Sequence, residues 1–293
     1  VNQFSTVLQI VTPVFFLAAI GFAWVKLGFE YRIEFVTQLA MTLSVPCMVF
    51  TALMKTEIDP QSLSIVSLAA VLAYGLVTLV AMLIVKLARI DIRTYLAPLI
   101  FGNTGNLGLP IAFFAFGQDG LGYAVVVFAI MIVFSFTFGV WLVSGGGSVA
   151  ILLKEPIVGA TLLGALFLWQ GWTMPVFLTN TLELIGQMAI PLMLITLGVA
   201  LARLSLGRLW LPVLLSAGKY AFCVAIAWGV GRWFSLPPIA FGVLVMQIST
   251  PVAVTSYLLA EKYRADADSV AGLVVVSTLL AVVTIPLTLA IVI

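Results

Sequence analysis

What most constrains this chain is the length of its uncharged stretches: residues 61–85, 94–118 and 120–153 pass without a single Asp, Glu, Lys or Arg. A helix needs about 20 apolar residues to cross the hydrocarbon core of a bilayer. The 293 residues carry only 13 basic and 11 acidic side chains, or 8% charged, against roughly a quarter in soluble domains. So few charges can cover only short connections, and the chain reads as an all-α integral membrane protein.

The inventory also removes kinds of chemistry. With no histidine there is no imidazole base, no His-ligated metal and no Ser-His-Asp arrangement. Cys47 and Cys223 each lie inside an apolar run, where a thiol behaves as a small hydrophobe, so no disulfide, metal centre or cofactor is expected. A net charge of +2 supplies no basic patch for nucleic acid. An intramembrane enzyme would need paired aspartates, a serine with its base or a metal site, and none is visible. A channel or receptor reading finds no ring of charges and no sensor domain.

With charges, Gly and Pro as punctuation, ten spans emerge: 5–26, 33–54, 62–86, 94–117, 121–143, 156–170, 174–201, 207–232, 237–260 and 267–292. A short glycine-rich loop, 144–155, divides them into five-span halves, 1–143 and 156–293. The first basic residue, Lys26, follows the first apolar run, which is the reverse of a secretory signal. Ten basic residues (Lys26, Arg32, Lys86, Arg89, Arg93, Lys154, Arg203, Arg208, Lys262 and Arg264) fall in the odd-numbered loops, against Lys55 and Arg232 in the others. The positive-inside rule then places the odd loops and the central loop in the cytoplasm and both termini outside the plasma membrane.

Five spans in each half would give repeats of opposite orientation. Ser44-Val45-Pro46 in span two pairs with Ala189-Ile190-Pro191 in span seven, and Asn106 to Pro110 in span four pairs with Gln247 to Pro251 in span nine. Pro46 and Pro110 are 64 residues apart, Pro191 and Pro251 60. Proline is tolerated in membrane helices wherever neighbours satisfy the freed backbone, so one pair would mean little. Two pairs in near register predict an inverted repeat.

The segment Gly102-Asn103-Thr104-Gly105-Asn106-Leu107-Gly108-Leu109-Pro110 predicts an interrupted helix. Proline gives no N–H to the turn before it, and each glycine weakens a helix by about 1 kcal/mol. Irregular backbone inside a membrane is tolerated where protein or water surrounds it. With Pro110 opening one half-helix, and Thr250 preceding and partly capping another at Pro251, two helix N-termini are expected to converge and favour an anion. Lys219, well inside span eight, is expected to be buried, either paired with the substrate's charge or orienting the crossover backbone.

These residues, with Leu259-Ala260-Glu261-Lys262-Tyr263 and Ile285-Pro286-Leu287-Thr288, resemble the auxin efflux carrier family over essentially the whole chain. The resemblance implies two inverted five-helix repeats with broken, crossing helices four and nine. It also implies a scaffold from spans 1, 2, 6 and 7, a transport domain from spans 3–5 and 8–10, a homodimer and elevator-type movement. It assigns substrate contact to Asn103, crossover roles to Pro110 and Pro251, and cavity-facing positions to Val45 and Val49. Two features depart from the plant members: the long central loop is absent, and Tyr74-Gly75 stands in span three where those carriers have a charged pair.

The leading expectation is a secondary transporter of a small organic anion, auxin-like or a dicarboxylate. Its carboxylate would be held where the broken helices cross, by Asn103, Thr104, Asn106, Gln247, Ser249, Thr250 and Lys219. The alternative is a sodium-coupled symporter of the bile-acid type, which the scarcity of intramembrane acids disfavours.

Overall fold

A computed structural model describes residues 3–55, 58–144, 156–203 and 210–293. The glycine-rich stretch with Lys154, and the loop holding Arg208, lie outside them. Regular structure among the described residues is helical, with one isolated antiparallel bridge between Gly102 and Val252. Six stretches are long and apolar enough to cross a membrane: Ile33–Lys55, Gln61–Leu87, Thr104–Val143, Val176–Arg203, Trp210–Trp233 and Ala267–Val292. Thr12–Lys26, Pro156–Gln170 and Pro238–Ile248 are shorter apolar helices. The chain is therefore a multi-pass, all-helical membrane protein.

The first half contains α1 (Gln3–Lys26), α2 (Ile33–Leu39), α3 (Val45–Lys55), α4 (Pro60–Leu87), α5 (Ile92–Ile100), α6 (Leu109–Phe134) and α7 (Val140–Ser144). The second contains α8 (Pro156–Gln170), α9 (Val176–Gln187), α10 (Ala189–Arg203), α11 (Trp210–Trp233), α12 (Pro238–Ile248), α13 (Val254–Lys262) and α14 (Ala267–Val292). The stretch Thr104–Val143, 40 residues long, is about 60 Å of helix at 1.5 Å per residue, twice the hydrocarbon thickness. It folds back at Gly117, whose φ of 65° and ψ of −150° suit glycine alone.

Two membrane prolines are absorbed in the same way. A wide π-turn, Ala40–Ser44, ends two residues before Pro46, and another, Thr104–Gly108, ends two residues before Pro110. The proline ring crowds the turn that precedes it, and a π-turn there widens the helix and shifts its hydrogen bonding without breaking the rod. Pro191 instead follows a break at Met188, between α9 and α10.

The helices sort into two groups by packing. In one, α1 lies along α10 and α3 lies along α8 and α9. The backbones of α1 and α10 are so close that a Cβ on Gly21 would run into the Ile195 carbonyl and one on Gly198 into that of Ala18, the close approach that small residues allow. In the other group, α4, α5, α6, α11, α12 and α14 pack together with α13 against α14. Several long-range polar ties lie inside a group. Tyr31 bonds Thr196, Arg203 donates to the Tyr31 carbonyl and Lys55 pairs with Glu183 in the first. Arg93 donates to the Val143 and Tyr263 carbonyls, and Tyr220 bonds Thr288, in the second.

The join is apolar: Val7, Ile10 and Val14 of α1 and Leu194 and Leu197 of α10 meet Leu107, Ile111, Met246, Ala281, Ile285 and Leu289. Six of the seven tryptophans, Trp24, Trp141, Trp169, Trp172, Trp210 and Trp233, are exposed at helix ends, where an amphipathic ring meets the membrane interface.

Aspartates start three helices, each accepting a backbone N–H three residues on: Asp59 from Ser62, Asp91 from Thr94 and Asp266 from Ser269. The Asp91 carboxylate also accepts the Thr94 hydroxyl at 2.6 Å. That bond, aided by the neighbouring N–H groups and the Arg93 charge against partial burial, holds its acidity below the ordinary carboxylate range. A depressed value adds stability that is present above the unfolded pKa and lost as the pH falls through the folded one. Asp91→Ala is therefore expected to cost about 1 kcal/mol at neutral pH. In detergent melting curves its deficit from the native chain should shrink as the pH is taken below about 4; a deficit independent of pH would refute this account of the cap.

Candidate functional site

α5 ends at Ile100, and Phe101 turns extended with φ −90° and ψ 118°. α12 ends at Ile248 and the chain resumes as helix only at Val254. The two interruptions lie side by side, Gly102 opposite Val252. Asn103 N–H donates to the Pro251 carbonyl at 2.7 Å, and Ala253 N–H donates to that of Phe101 at 3.5 Å. Gly102 permits this approach, because a Cβ there would run into Thr250 Oγ1.

The remaining backbone groups are satisfied from outside the crossing. Lys219 Nζ donates to the Thr250 carbonyl at 3.0 Å, and Ser277 Oγ of α14 accepts from Val252 N–H at 3.0 Å. Thr250 Oγ1 donates to the Gln247 carbonyl at 2.7 Å and Ser249 Oγ to that of Met246 at 3.3 Å. The Gln247 amide, fully buried against Gly108, donates through Nε2 to the Ala124 carbonyl at 3.4 Å. Unpaired backbone groups away from water are costly, and each of these bonds removes one.

On either side of the bridge a single residue separates the crossing from a helix start: Asn103 before the π-turn at Thr104, and Ala253 before α13. Asn103 stands at the N-cap with φ −79° and ψ 54°, yet its side chain makes no capping bond. Alanine has no oxygen with which to cap. Both starts thus present first-turn N–H groups that no capping side chain takes. Asn103 Nδ2, Thr104 Oγ1 and Gln247 Oε1 are buried without a partner. Asn106 is half-buried.

Two expectations are corrected. The interruption in the fourth span lies at Phe101–Asn103, ahead of Pro110, which sits inside continuous helix because the π-turn absorbs it. Pro251 does lie in the break, so the matched spacing of amide and proline does not mark equivalent places. Thr250 closes the end of α12 and does not cap the helix that follows.

A cavity of about 730 Å³ opens between the two groups. Along α3 it is faced by Met48, Thr51, Ala52 and Lys55, with Phe113, Phe114, Gln118 and Asp119 across from them and Glu183, Gln187, Ile190 and Pro191 completing the wall. Val45 and Val49 are wholly buried in the core beside this wall and do not line the cavity. Lys219, 2% exposed, is likewise not part of the cavity wall. Sequence reasoning also missed Ser277, although a serine among the valines and leucines of α14 already called for a partner. Nothing beyond their turn chemistry pointed to Gln118 and Asp119.

The profile of a family described as Membrane transport protein matches residues 148–289. An uncharacterized transporter of Methanocaldococcus jannaschii is 23% identical over 92% of this chain and 94% of its own length. One of Methanothermobacter thermautotrophicus is 25% identical over 95% of this chain and 96% of its own. Over residues 148–289 the chain is similar to this membrane transport family. It is the auxin efflux carrier family that the glycine-rich and span-nine segments resemble. Gly102 has no room for a Cβ at the crossing. Gly102→Ala is expected to lower stability by about 1–3 kcal/mol while helix content by circular dichroism stays native; an unchanged melting temperature would show that the segments are not held together as described.

Proposed function

We propose that the chain is a secondary transporter that carries a small organic anion across the plasma membrane, with the substrate carboxylate bound beside the crossing. The observation that carries this is the uncapped pair of helix starts flanking the Gly102–Val252 bridge, with the unpartnered Asn103 Nδ2 and Thr104 Oγ1 at one of them. Helix N-termini favour negative charge, each worth roughly +0.5 of an elementary charge. A carboxylate there would accept from both side chains and from first-turn N–H groups. Asn106, Ser249 and Thr250 complete the polar lining in this reading, and the cavity at Phe113 and Phe114 gives the route.

We read the chain as ten crossings in two inverted repeats, with both termini outside. Three features support it: the fold-back at Gly117, the exchanged packing of α1 on α10 and α8 on α3, and tryptophans at helix ends. On this reading α1, α3 and α8 to α10 form a scaffold and the other group moves against it as a body. The aliphatic join suits such sliding, since it holds no directional bonds that movement would have to break, while the polar ties inside each group keep it rigid.

The test uses purified protein in liposomes with a panel of mono- and dicarboxylates. Native protein should take up at least one of them saturably. Asn103→Ala should cut that uptake about tenfold or more, equivalent to about 1.4 kcal/mol of lost binding, at unchanged yield. Undiminished uptake in Asn103→Ala would remove the carboxylate site from the crossing. The bile-acid type of symporter would show itself by uptake that needs a sodium gradient.

A further inference from the structure

Lys219 is 2% exposed, and a buried ammonium needs both an acceptor and compensating negative charge. Its recorded acceptor is the Thr250 carbonyl at 3.0 Å. Among the acids whose side chains are described none answers it: Glu30, Asp59, Asp91 and Asp266 stand in connections or at helix starts, Asp119 lines the cavity, Glu34 and Asp268 lie in first turns, and Glu183 pairs with Lys55. Ser216 and Cys223, a turn before and a turn after it on α11, are neutral, and both are buried.

What remains is the end of α12. A helix C-terminus carries roughly −0.5 of an elementary charge, and the end of α12 gathers donors, with Ser249 Oγ on the Met246 carbonyl and Thr250 Oγ1 on that of Gln247. Lys219 Nζ takes the Thr250 carbonyl just beyond them. In membrane transporters built on broken helices, unwound carbonyls and half-helix C-terminal ends are where a coupling cation is held. Here a side chain of the protein is already in that position.

We propose that the ammonium of Lys219 is a tethered counter-cation for the crossing, taking the place of a mobile alkali cation at the Thr250 carbonyl and the end of α12. The chain then works without Na⁺ or K⁺, and a small neutral residue at position 219 creates a site for a free monovalent cation. The inference holds whatever anion is carried, so its test is read first without a substrate.

Melting curves of purified protein are compared in the chloride salts of sodium, potassium, ethylammonium and choline at equal ionic strength. The native chain should melt alike in all four. Lys219→Ala should melt lower in choline by about 5 °C or more and regain most of that loss saturably with ethylammonium, which replaces the missing ammonium and part of its stem. Lys219→Met, which fills the space without charge, should be destabilised in every salt and regain nothing. A merely structural packing role would predict that methionine restores stability and ethylammonium does nothing.

The proposal is overturned by a native chain stabilised saturably by sodium over choline. It is equally overturned by a folded Lys219→Ala indifferent to all four cations, or by Lys219→Met behaving as the native chain. If Lys219→Ala cannot be purified in choline, recovery of folded protein only when ethylammonium is present throughout supports the proposal, and failure in ethylammonium too counts against it. Loss of uptake in Asn103→Ala, with this cation pattern absent, would leave the carboxylate site standing and remove the tethered cation alone.

Discussion

The structure depends on one requirement: backbone groups freed inside a membrane must find partners, because lipid supplies none. Two helices are interrupted, and the crossing satisfies the exposed groups mutually. Asn103 N–H takes the Pro251 carbonyl, Ala253 N–H takes that of Phe101, and Lys219 and Ser277 take what the two strands of chain cannot give each other. The exchange needs two antiparallel segments at van der Waals distance, which is why Gly102 lies against Thr250 with no room for a Cβ. A break in one helix alone would have no such solution.

Satisfying the crossing in this way leaves the helix starts beside it unsatisfied. A soluble protein would use Asn103, a preferred N-cap residue, to close the first turn. Its side chain is not so used, and the other helix follows an alanine. By contrast, three helices that start in connections are capped by Asp59, Asp91 and Asp266. Side-chain caps thus close three helix starts in connections and are absent at Asn103, as they are at Arg32, Pro175 and Pro237; in the proposed function the uncapped starts beside the crossing are what would favour negative charge.

Much of this was legible in the sequence. Uncharged runs gave the membrane class and the all-helical fold, and the cluster from Gly102 to Pro110 located an interruption between α5 and α6 to within a few residues. Its position was missed because proline was read as a breaker, whereas both Pro46 and Pro110 follow a π-turn that lets the rod continue; a one-residue shift in hydrogen bonding leaves no mark in composition. The cavity wall itself joins residues far apart in the chain, Lys55, Asp119 and Glu183 among them, and no local pattern announces such a meeting.

Lys219 shows how a fixed charge and a moving body fit together. The crossing belongs to the group of helices packed around α4, α6, α11 and α14, and so does Lys219, reaching from α11 across to the end of α12. In the proposed movement a bond within one body would keep its geometry wherever that body went, whereas a bond to α1 or α10 would have to break on each cycle. The same logic orders the other polar ties: Arg93 joins the ends of α5, α7 and the turn after α13, and Tyr31 with Arg203 joins α1 to α10. Directional interactions hold each group together, and the non-directional contact of Leu107, Ile111 and Met246 with Leu194 and Leu197 is what lies between them. An aliphatic surface loses little when it slides one residue along another such surface, because the area removed from water or lipid is nearly conserved. In the proposed movement it is the distribution of polarity, more than any single residue, that would let one group slide on the other.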